Sequence, residues 1–166
     1  MSTRVPEFEI VEMGSPFLLR WKNPPDFSRD ELLEFIETND IFEVERECDG
    51  SLLLSSGVTL YTNSQEMEVY FQLRLWAERD GRGDAYGPTG RYELPNRASR
   101  GPDVAWILKE RIASLPAEEL DTVPRLVPDF VVEVRSKSNS LGRLQEKMQE
   151  YMANGVRLGW LLNAPT

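Results

Sequence analysis

The chain predicts an α/β fold, with a central mixed β-sheet flanked by helices and preceded by a helix and a hairpin. Three observations carry this. Residues 129–162 read as strand, helix and strand in succession, a unit that joins parallel strands. Residues 28–55 read as a capped helix followed by a hairpin. The 166 residues are 40% hydrophobic, enough for a buried core in a chain of ordinary domain length. Residues 1–27 are read as an N-terminal arm and residues 28–166 as the domain.

The elements follow in order. Pro6, Pro16, Pro24 and Pro25 mark the arm as extended, with a short strand over Phe17–Trp21. Ser28-Arg-Asp-Glu31 is a capping box that opens a helix ending near Asn39. Phe42–Glu47 and Ser51–Ser55 flank Asp49-Gly50, a turn suited to a hairpin. Asn63 or Ser64 caps a second helix, roughly 64–80, and Gly81 and Gly83 end it. Its apolar stripe is Met67, Phe71 and Leu75 with Val69, Leu73 and Trp76. Short strands follow at Ala85–Gly87 and Tyr92–Leu94. Asp103–Leu108 is a buried strand, and 109–127 a connection with room for a short helix. Asp129–Ser136 is dense in β-branched residues and is the clearest strand. Asn139 or Ser140 caps a helix over 141–153, Asn154-Gly155 closes it, and Arg157–Leu162 is the last strand. Trp106 and Trp160 are expected in the core.

Composition narrows the chemistry. There is no histidine, which removes catalytic triads, histidine zinc sites and the commonest general base. Cys48 is the one cysteine, so no internal disulfide and no four-cysteine zinc site can form. No apolar run reaches membrane-spanning length and the N-terminus lacks a signal-like core, so a cytoplasmic protein that is not membrane-bound is expected. The net charge is −9, and residues 1–68 hold 15 acidic and 5 basic side chains. Residues 69–166 hold 13 acidic and 14 basic ones, so the second part is near neutral. Catalysis without histidine leaves carboxylates, Lys, Arg, Tyr and hydroxyls, with a hard cation on oxygen ligands.

Glu133 is the anomaly. It interrupts a β-branched run that should be buried, where an unpaired carboxylate costs several kcal/mol. Strand alternation sets it on one face with Val131 and Arg135, so either an ion pair with Arg135 or a metal accounts for it. Pro-Asp occurs twice, at Pro102-Asp103 and Pro128-Asp129. Asp129 lies four residues from Glu133 on the same strand, roughly 13 Å away, too far to share a cation. Asp103 can share one if its strand pairs beside 129–136. On the 141–153 helix, Leu141, Leu144, Met148, Tyr151 and Met152 form an apolar arc. Lys147 and Gln145 flank it on opposite edges, each able to lean toward the sheet or to lie at its boundary.

Pro102-Asp103, Pro128-Asp-Phe-Val-Val-Glu133-Val-Arg-Ser136, Leu144-x-x-Lys147-Met-x-x-Tyr151-x-x-x-Gly155-Val156 and Trp160-Leu-Leu together resemble the Uma-type endonuclease family. That family belongs to the PD-(D/E)XK, or restriction-endonuclease-like, superfamily. The resemblance spans roughly residues 28–163. It implies a Mg²⁺- or Mn²⁺-dependent endonuclease acting on DNA, with Asp103 and Glu133 as metal ligands and Lys147 as the catalytic lysine. Arg135, Gln145 and Glu68 are supporting candidates, Glu68 because related nucleases carry an acidic residue on the helix before the sheet. One departure stands out: the superfamily's usual lysine lies two residues after the glutamate, where this chain has Arg135. Arginine stays protonated and cannot serve as a base. The family's lysine comes from the following helix, which Lys147 matches. The resemblance also implies a further strand or hairpin beyond Trp160–Asn163; a homo-oligomer contact is another way to cover that sheet edge. The alternative reading is a catalytically inactive nuclease-fold module that binds nucleic acid or protein.

Overall fold

A computed structural model of the chain describes residues 8–12, 16–22, 27–137 and 139–163. Its contacts divide into two compact units, residues 1–57 with 97–99, and residues 58–96 with 100–166.

In the first unit, strands β1 (Phe8–Glu12), β2 (Phe17–Trp21), β3 (Glu43–Arg46) and β4 (Leu52–Ser55) lie in the order β1-β2-β4-β3. The expected extended arm is therefore a hairpin, with Phe8 opposite Trp21, and β2 continues onto β4. Helix α1 (Arg29–Thr38) opens with the predicted capping box: the Ser28 hydroxyl accepts from the Glu31 amide at 3.2 Å, and the Ser28 amide donates to the Glu31 carboxylate at 2.8 Å. The β3–β4 turn forms at Asp49-Gly50, where Gly50 takes φ 88°, a conformation that favours glycine. Phe27, Leu32, Val44, Leu52 and Leu54 make the core of this unit, with Phe8 and Trp21 rings 4.1 Å apart at its edge.

The second unit begins with α2 (Leu60–Asp80), which starts four residues earlier than the sequence pattern suggests. Thr59 is the cap, its hydroxyl accepting from the Thr62 amide at 3.3 Å, so the exposed Leu60 and Tyr61 enter the first turn. The helix ends at Gly81, in the left-handed conformation at φ 75°. Its inward side also differs from the expected stripe. Thr62, Glu66 and Ala77 are buried, whereas Met67, Phe71 and Trp76 are largely exposed. Apolar residues surround this helix, so periodicity alone could not choose its inner face.

Strands β5 (Gly83–Tyr86), β6 (Tyr92–Glu93) and β7 (Ser99–Arg100) follow. Next come β8 (Val104–Leu108), the short helices α3 (Lys109–Ala113) and α4 (Ala117–Leu120), and β9 (Phe130–Val134). Helix α5 (Leu141–Ala153) and β10 (Leu158–Leu162) complete the unit. A four-stranded sheet runs β10-β9-β8-β5, with β10 parallel to β9 and the other pairs antiparallel. It is the mixed sheet expected from the sequence, and the β9-α5-β10 crossover joins parallel strands as predicted. Val69, Tyr70 and Leu73 of α2 pack on the face bearing Val104, Val132 and Val134. Helix α5 covers the opposite face: a side chain at Gly159 would collide with Met148 and also meet Val131. Glu133 shares that α5 side.

Trp106 is core, 9% exposed, as expected. Trp160 is not: it is 53% exposed and meets Phe130 edge-on at 5.1 Å. In register with Val132, it lies on the α2-facing side of the sheet but on the edge strand, where it lines an apolar groove of about 620 Å³ with Trp76 and Leu158. Among the described residues, no helix is long and apolar enough to cross a membrane.

Strand β8 comes close to β5 at Gly83. A Cβ there would lie 2.4 Å from the Trp106 ring and 2.6 Å from the Ile107 carbonyl oxygen. Gly83→Ala is expected to cost about 2 kcal/mol, lowering the melting temperature by roughly 4–8 °C for a chain of this size. Differential scanning calorimetry checks this; an unchanged melting temperature would show that the Trp106 ring moves freely.

Candidate functional site

The β8–β9 register sets Val104 opposite Val132. Extending it by one residue brings Asp103 opposite Glu133, with the paired Cβ atoms roughly 4.5–5.5 Å apart. Asp103 seals this end of the ladder, its Oδ2 accepting a 2.6 Å hydrogen bond from the Val134 amide. Two carboxylates facing each other across a strand pair repel, so the arrangement needs a nearby cation.

Lys147 supplies one. Its Nζ lies 2.8 Å from Glu133 Oε1 and donates to the Gly101 carbonyl at 3.0 Å. The Glu133 side chain is 3% exposed and that of Lys147 16%, so water screens the pair weakly. Tyr151, one helical turn after Lys147, is fully buried and donates its hydroxyl to the same Oε1 at 3.2 Å. The ammonium also lies 5.8 Å from the Tyr151 ring centroid. In the sequence Tyr151 belongs to the apolar arc and to the family motif; its phenol at i+4 from Lys147 is the signal for this further contact.

The helix that delivers these groups is itself tied down. Ser140 caps it by accepting from the Arg143 amide at 3.1 Å. Near its end, Glu150 accepts from Arg100 and, at 2.8 Å, from the Asn96 side-chain amide. The Asn154 side chain accepts from the Asn96 amide at 3.0 Å. Arg100 is 4% exposed, so this is a largely desolvated polar network, which the sequence pattern did not reveal.

The supporting candidates fall elsewhere. Arg135 is not the ion-pair partner of Glu133: its Nε donates to the Asn139 carbonyl at 3.2 Å and its Nη1 to Asn163 Oδ1 at 3.0 Å. Beyond Val134 the chain turns into the loop, which redirects the side chain. Gln145 is exposed to solvent, because α5 rolls its Lys147 edge toward the sheet and its Gln145 edge away. Glu68 is exposed, accepts from Gln72 at 2.8 Å and lines the apolar groove rather than meeting Glu133. Its neighbour Glu66 is the buried carboxylate of α2, 3% exposed.

Asp129 has a different task from Asp103. It is buried at the opposite end of the β8–β9 pair, accepts from the Leu108 amide at 3.1 Å and pairs with Arg111 at 3.0 Å. Arg157 lies 3.8 Å away. One Pro-Asp thus braces the strand ends and the other faces Glu133.

A hard divalent cation fits the Asp103–Glu133 donor set, which offers carboxylate oxygens from directly opposed positions and no sulfur or imidazole. Among the described residues, no group of three or more acidic, cysteine or histidine side chains is placed to hold an ion by itself. Water and substrate oxygens would complete the shell, the usual arrangement for Mg²⁺.

A family model described as "Uma2: Putative restriction endonuclease" matches residues 29–166. None of the curated proteins matches the chain. Among solved structures, the crystal structure of a putative nuclease belonging to DUF820, from Anabaena variabilis ATCC 29413, is similar in fold, with a TM-score of 0.65 at 19% identity. The likeness covers 81% of this chain and 73% of that one.

The buried pair gives a stability test. Lys147→Met leaves Glu133 buried without its cation and is expected to cost about 3 kcal/mol. Tyr151→Phe removes one hydrogen bond and should cost about 1 kcal/mol. Asp129→Asn, which weakens the Arg111 pair, should cost about 2 kcal/mol. Urea denaturation of the three variants checks this order; Tyr151→Phe costing more than Lys147→Met would contradict the assigned partners.

Proposed function

Since the chain belongs to the Uma2 family of restriction-endonuclease-type proteins, we propose that it is a Mg²⁺- or Mn²⁺-dependent endonuclease that hydrolyses DNA phosphodiester bonds, with Asp103, Glu133 and Lys147 at its centre. One observation supports this reading: Asp103, the residue before β8, accepts from the Val134 amide at 2.6 Å, next to Glu133, and Lys147 from the crossover helix meets Glu133 at 2.8 Å.

The chain's own groups divide the work. Asp103 and Glu133 would hold the divalent ion through their oxygens and, being fixed at one end of the β8–β9 pair, would require little reorganisation to do so. When bound, such an ion lowers the pKa of a coordinated water and offsets charge on the scissile phosphate. Lys147 contributes a fixed positive charge beside the metal-binding carboxylate. Hydrolysis adds one water and breaks one P–O bond, so negative charge grows on the phosphate oxygens and the leaving oxygen, and a preorganised ammonium stabilises it. Tyr151 holds Glu133 from the helix side. Arg135, at the superfamily's lysine place, stays protonated and so cannot act as a base.

A second reading is a nuclease-fold module that binds nucleic acid or protein without turnover. The net charge of −9 and the already paired Lys147 favour it.

Nicking of supercoiled plasmid separates the two. Wild-type protein should cleave with Mg²⁺ or Mn²⁺ and stop on chelation. Asp103→Ala and Glu133→Ala should each lower the rate by about 10²–10³-fold or more, and Lys147→Met by a similar factor. Cleavage that survives Glu133→Ala would sink the assignment, and binding without cleavage under any divalent ion would favour the second reading.

A further inference from the structure

We propose that a cleft lined by Arg135, Lys137, Thr59, Tyr61, Thr62 and Gln65 binds a backbone phosphate of the DNA strand flanking the scissile bond. This rests on the endonuclease reading and adds to it a place for the substrate strand outside the metal centre.

The cleft has a volume of about 460 Å³, many times the ~30 Å³ occupied by one water. Its lining holds two cationic side chains and no carboxylate, in a chain whose net charge is −9. Such a local reversal of sign concentrates an anion where the overall field would repel it.

Position links it to the centre. Arg135 follows Glu133 by two residues, just past the end of β9, where its amide is still held by the Leu162 carbonyl. Two residues of strand advance roughly 6.6 Å, a spacing that suits a neighbouring group on the same nucleic-acid strand. The guanidinium is oriented by two neutral oxygens, of Asn139 and Asn163, which hold it without cancelling its charge. Arginine's planar fork matches phosphate bidentately, and Lys137 adds an exposed point charge.

The remaining lining is hydroxyl-rich. Thr59 and Thr62 share a hydroxyl contact of 3.1 Å, and the Tyr61 hydroxyl accepts from Gln65 at 3.2 Å. Hydroxyl hydrogens rotate, so these groups can turn as donors toward an anion. Neutral donors with two cations suit a phosphodiester, which carries one charge and several acceptor oxygens.

The test is fluorescence anisotropy with a labelled duplex, using the full chain and Ca²⁺ in place of Mg²⁺, across a KCl series. Each phosphate neutralised adds about 0.9 to the slope of log K against log salt. Arg135→Gln/Lys137→Gln should make the slope shallower by about 0.9, the value for one phosphate, and Lys137→Gln, an exposed change that spares the fold, by part of that, each weakening binding uniformly across sequences. Arg157→Gln, at the far end of β9 and 73% exposed, should leave the slope unchanged. Equal slopes for wild type and double variant, an equal loss in Arg157→Gln, or no DNA binding by wild type would overturn the proposal. The expected slope changes in a wild type that never cleaves with Mg²⁺ would remove the endonuclease reading while supporting the cleft as a DNA phosphate site.

Discussion

A carboxylate buried in the middle of a β-sheet needs a compensating charge, and much of the second unit is arranged around that need. Glu133 lies among Val131, Val132 and Val134, all buried. Left unpaired there it would cost several kcal/mol. The compensation comes from Lys147 and Tyr151, which belong to the helix following Glu133's own strand. The crossover that builds the parallel β9–β10 pair therefore also delivers the cation. Helix α5 must then sit at one height and one rotation. Gly159 lets it approach β10 at Met148, and the Asn96–Arg100–Glu150–Asn154 network holds its far end.

The sheet is chemically polarised along β8 and β9. At one end Asp129 is saturated by a backbone amide and the Arg111 guanidinium, which makes it a brace. At the other, Asp103 faces Glu133, a pairing of like charges that a purely structural sheet would avoid. Opposed carboxylates of this kind have the chemistry to share a hard cation. Antiparallel pairing sends the two copies of the same dipeptide to opposite ends of the strand pair, one braced by cations and amides and the other beside Glu133.

Charge follows the same economy of placement. The excess of acidic residues falls within positions 1–68, whereas Lys147, which meets Glu133, and Arg135 and Lys137 lie in the near-neutral second part. A protein with this acidic total binds a polyanion only through a local cluster, so the positions of Arg135, Lys137 and Lys147 matter more than the sum.

Several features were determined by the sequence alone because they depend on neighbours in the chain. The Ser28 capping box, the Asp49-Gly50 turn, the limits of the 141–153 helix and the parallel β9–β10 pair follow from local chemistry and short connections. The oddity of Glu133 was legible for the same reason: one charge in a β-branched run. Tertiary structure decided what depends on rotation and partners. The α2 periodicity was ambiguous because apolar residues surround the helix, so its burial of Glu66 rather than Met67 came from packing on the sheet. Trp160 stayed half-exposed because it sits on the edge strand, on the sheet face that lines the apolar groove, a position invisible to hydropathy. Lys147 and Gln145 were equivalent edges of one arc until α5 docked, and Arg135 was a plausible partner for Glu133 until the loop turned it toward Asn139 and Asn163. A side chain's type and spacing are written in the chain, but the charge it meets across space is set by how the elements pack.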